Sequence, residues 1–154
     1  MSNSSNVNDQ LKDALERLEY AAESPVVPGE SVAWLQSLLN ALRQVSCSYH
    51  VQVRSAHEDQ FEAIGIEDPA LFARVEKMRE EDKAIVREVD RCAANLRNLL
   101  EFREGEPDNE EAALQRAPDL AHDVLVLVIR IRKQEVALTT WLQEALQRDR
   151  GRAD

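Results

Sequence analysis

The chain has 154 residues with 44% apolar and only 5% aromatic side chains, four glycines and a formal charge of −10. A negative field of that size repels phosphate, so nucleic acid and anionic membrane surfaces are excluded as partners. No run approaches the ~20 apolar residues that span a bilayer, and Met1–Gln10 lacks a signal-peptide core, so a cytoplasmic protein is expected.

Ala, Leu, Glu, Arg and Gln dominate, and all are helix formers. Residues 1–7 are Ser/Asn-rich and expected to be disordered; 8–149 should form one domain and 150–154 a C-terminal tail. A short first helix is expected from Asn8 to Ala22, with Leu11, Leu15, Leu18 and Ala22 on one face. Two prolines and a glycine in Ser24–Gly29 end it.

The second helix is expected over Glu30–Ile64. Its apolar seam runs Val32, Leu35, Leu38, Leu42, Val45, Tyr49, turns polar, and recovers at Phe61 and Ile64. Continued at steps of four and three, His50, Arg54, His57 and Phe61 share a face. Gly65 suits the C′ position, and Asp68-Pro69 reads as an N-cap followed by proline at N1.

The third helix, Pro69 to Arg103, carries the clearest pattern. Leu71, Val75, Met78, Asp82, Ile85, Val89, Cys92, Leu96 and Leu99 alternate steps of four and three, the seam of a helix packed lengthwise in a bundle. Asp82 is the one charged member, and a carboxylate there needs a partner. After the breaker Glu104–Asn109 and a short turn over Glu110–Arg116, Pro118 should kink or restart the chain. The fourth helix then runs to Arg148 with Leu120, Val124, Leu127, Ile131, Leu138, Trp141 and Ala145 inward and a polar midpoint at Gln134 and Glu135. The fold class is thus an all-α, up-and-down four-helix bundle with one short and three long helices.

Apolar ends around a polar middle recur in all three long helices, giving a buried layer of His50, Arg54, Asp82, Gln134 and Glu135. Within it Arg54 can bridge Asp82 and Glu135, with His50 donating to the same carboxylate. The plainer alternative leaves Arg54 snorkelling to solvent and Asp82 at a wet edge. His57 reads as a structural or surface histidine, or as part of a minimal metal site. His122 lies off the stripe and should be exposed. Trp34 and Trp141 read as core residues, and Glu58-Asp59, Glu80-Glu81 and Glu110-Glu111 as solvated faces. Cys92 is a small buried seam residue, Cys47 flanks the core, and no CxxC spacing exists. No nucleophile elbow, Gly-rich phosphate loop or H-E-x-x-H is present, so no enzyme activity is expected.

From Glu30 to Asp154 the chain resembles the hemerythrin-like (HHE cation-binding) bundles. The residues that carry this are His50, Glu67-Asp-Pro-Ala-Leu71, Met78-Arg-Glu-Glu-Asp82, and the tail Trp141–Asp149 with Gly151 and Asp154. They follow a bacterial branch's H-x-x-x-E … P-x-L … E-H pattern and its "LLQEA…D-G…D" ending. The resemblance implies non-haem iron, commonly a di-iron centre, held by histidines and carboxylates inside the bundle. Carried over by position, His50 keeps the first histidine, but Arg54 stands where its carboxylate partner belongs. Asp82 replaces the histidine of E-H, and Gln134 and Leu138 replace the last H-x-x-x-E pair. The expectation is a ligand-depleted member without cofactor, serving as a scaffold with a protein partner or as a homo-oligomer. The alternative is a reduced site of His50, His57, Asp82 and Glu135 that holds non-haem iron or another divalent metal.

Overall fold

In the computed structural model, which describes residues 2–152, the chain folds as helices joined by short turns; at positions 2–5, 149, 150 and 152 only the backbone is described. Helix α1 spans Ser2–Glu23, α2 Ser31–Gln52, α3 Glu58–Glu67, α4 Phe72–Gly105 and α5 Glu110–Arg152. Val53–His57 is a π-helical turn that joins α2 to α3 as one continuous rod, so the architecture is a four-helix bundle with one short and three long members. No described helix is long and apolar enough to cross a membrane.

Several boundaries differ from expectation. Helix α1 starts at Ser2 rather than near Asn8, so its backbone is helical through most of the stretch expected to be disordered. Gly65 is not a C′ residue, because α3 continues to Glu67 and ends at Asp68 in extended conformation. Asp68 does cap the next turn, its Oδ1 accepting from Ala70 N–H at 3.1 Å. Helix α5 begins at Glu110 and runs unbroken through Pro118. That proline is exposed, so the carbonyl it leaves unpaired one turn back can be hydrated. The expected 150–154 tail is helical through Arg152; residues 153 and 154 lie outside the described residues.

Glu110 is no solvated-face residue. Its carboxylate accepts from Gly29 N–H at 2.8 Å, Ser31 N–H at 3.1 Å and Ser31 Oγ–H, and pairs with Arg103. It therefore caps the first turn of α2 from a distant helix, where Glu30 provides no side-chain cap. The Ser31 hydroxyl first, then Arg103, holds this carboxyl down to about 2. Gly29 itself has φ +88, the left-handed conformation that admits glycine cheaply.

All nine seam residues, Leu71 in the 3-10 turn that leads into α4 and Val75–Leu99 within it, are buried as the spacing predicts. They serve two cores. The larger joins α1, α2, the second half of α4 and the first half of α5, around Leu18, Leu38, Leu42, Ile85, Leu96 and Leu127. The smaller holds Phe61, Ile64, Leu71, Val75, Met78, Leu138 and Ala145 from α3, α4 and α5. Helix α1 packs on α2 and α5, whereas α3 packs directly on α5. The second rod must change neighbours part-way along, and the π-turn lies where it does.

Along that rod the central line of buried positions runs Leu35, Leu38, Leu42, Val45, Tyr49, Gln52, His57, Phe61 and Ile64, with Ser31, Trp34 and Leu39 buried beside it. Every step is three or four except that from Gln52 to His57, which is five. Glu58 N–H bonds Val53 C=O, five residues back, the hydrogen bond of a π-helix. The extra residue moves the inward position from Ala56 to His57.

Deleting Ser55 from this turn should restore an unbroken α-helix while leaving His57, Phe61 and Ile64 inward, at a cost of about 1–3 kcal/mol. Deleting Asn40 from regular α2 turns everything below it by ~100° and should prevent folding. Urea denaturation of both variants checks the assignment; equal loss of structure in the two would refute it.

Candidate functional site

Where the two cores meet, six polar side chains from three rods form a connected network. Asp82, from α4, is 3% exposed and accepts three hydrogen bonds. Its Oδ1 accepts from Tyr49 Oη at 2.7 Å and Gln134 Nε2 at 2.9 Å; its Oδ2 faces His57 Nδ1 at 2.8 Å. Gln134, from α5, gives its second N–H to Met78 C=O at 2.8 Å, so both its donors are used. On the other edge of the ring, His57 Nε2 faces Glu135 Oε1 at 2.5 Å. Glu135 Oε2 in turn accepts from Gln52 Nε2 at 3.0 Å.

Both ring nitrogens of His57 thus meet carboxylate oxygens, and both can be satisfied only as donors. The ring is an imidazolium. Burial at zero exposure pulls its pKa down, but the hydrogen bonds to Asp82 and Glu135, followed by their negative charges, overcome this and raise it to about 9. Tyr49 packs edge-on to the ring at 5.7 Å between centroids and Phe61 at 6.1 Å. Burial first, then the charge of Asp82, raises the Tyr49 phenol far above its ordinary range, so it stays a donor.

The sequence reading placed Asp82, Gln134 and Glu135 in the layer, and the structure brings all three together. Arg54 is corrected: it is exposed and is no partner of Asp82. His50 is half-buried in a groove that Asp82 also lines, with Arg79, Lys83 and Arg87, and it donates nothing to the carboxylate. The bridging cation between Asp82 and Glu135 is His57, which the reading treated as structural, surface or metal-binding. Tyr49 and Gln52 were missed as layer members; Tyr49 was seen only as an apolar seam residue. Helical phase explains these errors. Carried through 53–57 at α-helical pitch, the pattern is one residue out of step with the π-turn. His122 is exposed and Trp34 buried, as expected, with Trp34 Nε1 donating to Ser24 C=O at 2.9 Å.

The residues present do not fit an iron centre of the kind the resemblance implies. A ligating histidine offers a lone pair, but neither nitrogen of His57 has one free. Its two carboxylates lie on opposite edges of the ring and do not converge on one point. Gln134 and Tyr49 act toward Asp82 as donors. Among the described residues no three His, Cys, Asp or Glu side chains are grouped to hold a metal ion. No family model, curated protein or solved structure matches the chain.

Two outcomes follow for the layer. Because His57 is raised in the folded state from 6.5 to about 9, its contribution is complete below pH 6.5 and lost as pH rises through 9. Wild-type stability should therefore fall by roughly 3 kcal/mol between pH 6.5 and 9.5, a slope absent in His57→Gln. Nitrogen-15 spectra of the ring at pH 7 should show both nitrogens protonated; a neutral tautomer would overturn the assignment. Separately, Asp82→Leu leaves the imidazolium, the phenol and an amide N–H without their acceptor and should cost about 3–5 kcal/mol. Arg54→Met should stay within about 0.5 kcal/mol of wild type in the same urea titration.

Proposed function

We propose that this chain is a hemerythrin-like bundle that has exchanged its metal for an internal cation and works as a scaffold or protein-interaction domain. The observation that carries the reading is the position of His57. A protonated ring between two inner-face carboxylates supplies the positive charge that a bound ion would otherwise bring. It also fills the space between them and takes one oxygen of each as its hydrogen-bond acceptor. The bundle is then closed by its own side chains, and its contribution lies in its surface.

Exposed apolar side chains on α5 support a surface role. Val126, Ile129 and Val136 are 48%, 52% and 66% exposed and lie within one face of the helix at spacings of three and seven. Such a strip on a long helix suits a partner helix or a second copy of the chain.

Untagged protein should purify colourless with well under one iron per chain, and ferrous iron should leave its thermal midpoint unchanged. Stoichiometric iron with an oxo-to-iron absorption band would overturn this reading in favour of the reduced metal site of His50, His57, Asp82 and Glu135.

A further inference from the structure

Beside the polar layer a cleft of about 500 Å³ opens between α1, the π-turn with α3, and α5. Its walls include Asn8, Gln52, Gln60, Glu135, Val136 and Thr139. Three features of its floor point the same way. Gln52 is 2% exposed, and its Oε1 is buried without a hydrogen-bond partner. The amide cannot simply turn round, because its Nε2 donates to Glu135 and reversal would set oxygen against carboxylate. Gln60 Oε1 is likewise buried and unpartnered. The third feature is charge. Asp82 and Glu135 together exceed His57 by one negative charge, and Glu135, with 23% of its side chain exposed, is the member that reaches the cleft.

Glu135 thus brings the net negative charge to the cleft, and the Gln52 and Gln60 side chains that line it beside Glu135 carry acceptor oxygens without partners. The Thr139 hydroxyl is already donated to Glu135 C=O at 3.0 Å. A buried acceptor left unpaired is costly, so a ligand whose donors reach it gains affinity from the pairing. Ala56 and Val136 add apolar wall for an alkyl chain. A group carrying positive charge, several N–H donors and no acceptor matches this floor, and it does so independently of whether the bundle is a scaffold.

We propose that the cleft binds a primary ammonium or guanidinium group, either on a small free amine or on a lysine or arginine side chain of another polypeptide.

The test titrates the nitrogen-15-labelled full chain with n-propylammonium and n-propylguanidinium, following the side-chain amides of Gln52 and Gln60. Tetramethylammonium carries the charge without N–H donors, n-propanol the alkyl chain without charge, and calcium chloride a metal ion alone. Saturable shifts with propylammonium or propylguanidinium, and with none of the three controls, are expected. Gln60→Leu should weaken binding about tenfold, the loss of one charge-assisted hydrogen bond. Val136→Lys, at an exposed position that leaves the fold intact, sets a tethered ammonium at the rim and should abolish binding. A capped lysine- or arginine-containing peptide that binds more tightly than the free alkyl cation identifies a polypeptide source; equal or weaker binding identifies a free amine. The proposal fails if no saturable shift appears. It fails equally if tetramethylammonium or calcium acts as strongly, or if Val136→Lys binds like wild type.

Discussion

The structure turns on an imidazolium held between two carboxylates at the level where three helical rods meet. Taken singly, each ionised group would be costly there: a buried unpaired charge costs several kcal/mol, and Asp82 and His57 are almost wholly withdrawn from water. Together they are tolerable because the charges alternate, Asp82 accepts three hydrogen bonds and both nitrogens of His57 are paired. Asp82 takes donors from Tyr49 and Gln134 in addition to His57, so α4 is tied to both the second rod and α5 through one residue. Imidazolium brings one N–H on each edge, matching a partner on each side. The layer is better regarded as a device that sets register between the rods than as a source of net stability. Two apolar cores could slide against each other, but two cores with this network between them have one alignment.

That network depends on the π-turn. A regular helix from Ser31 to Glu67 would turn Ala56 inward, and a methyl group there could neutralise neither carboxylate. The additional residue between Gln52 and Phe61 advances the inward position to His57. It also lets α3 leave the neighbours of α2 and pack directly on α5. One local irregularity thus serves both the packing change and the placement of the cation. This agrees with the tendency of π-bulges to occur at functional sites.

The fold was readable because its signals are local. The α4 seam needs only its own period, and all nine of its positions are buried as that period requires. The layer was half readable. Asp82, Gln134 and Glu135 lie on helices without irregularity, so the count from the flanking apolar residues held. His57 lies just past an inserted residue, and there the count failed in favour of Arg54. A signal was nevertheless present. Counting forward from Tyr49 reaches Gln52 and Ala56, while counting back from Phe61 reaches His57. The two phases disagree by one residue, and the only place to absorb the mismatch is between Gln52 and His57. Glu110 was misread for a different reason. Its partners at Gly29, Ser31 and Arg103 come together only when the bundle closes, and nothing in the local pattern around Glu110 announces them.

The distribution of charge within the layer also has a direction. Asp82, ringed by three donors and only 3% exposed, lies at the floor of the groove lined by Arg79, Lys83 and Arg87, and its negative charge is answered by Tyr49, Gln134 and His57. Glu135 shares the same imidazolium but has only Gln52 as a further donor, and it is the one ionised member with appreciable access to water. The unneutralised charge of the cluster is therefore displaced toward α5 and the cleft, where water or a ligand can answer it at low cost. Had the imidazolium been offset by Glu135 alone, with a neutral residue at position 82, the cluster would carry no net charge and the cleft no field. The seam carboxylate that makes α4 look anomalous as a sequence is thus what gives the neighbouring surface its chemical character. The buried layer and the open cleft are the inner and outer faces of one electrostatic arrangement.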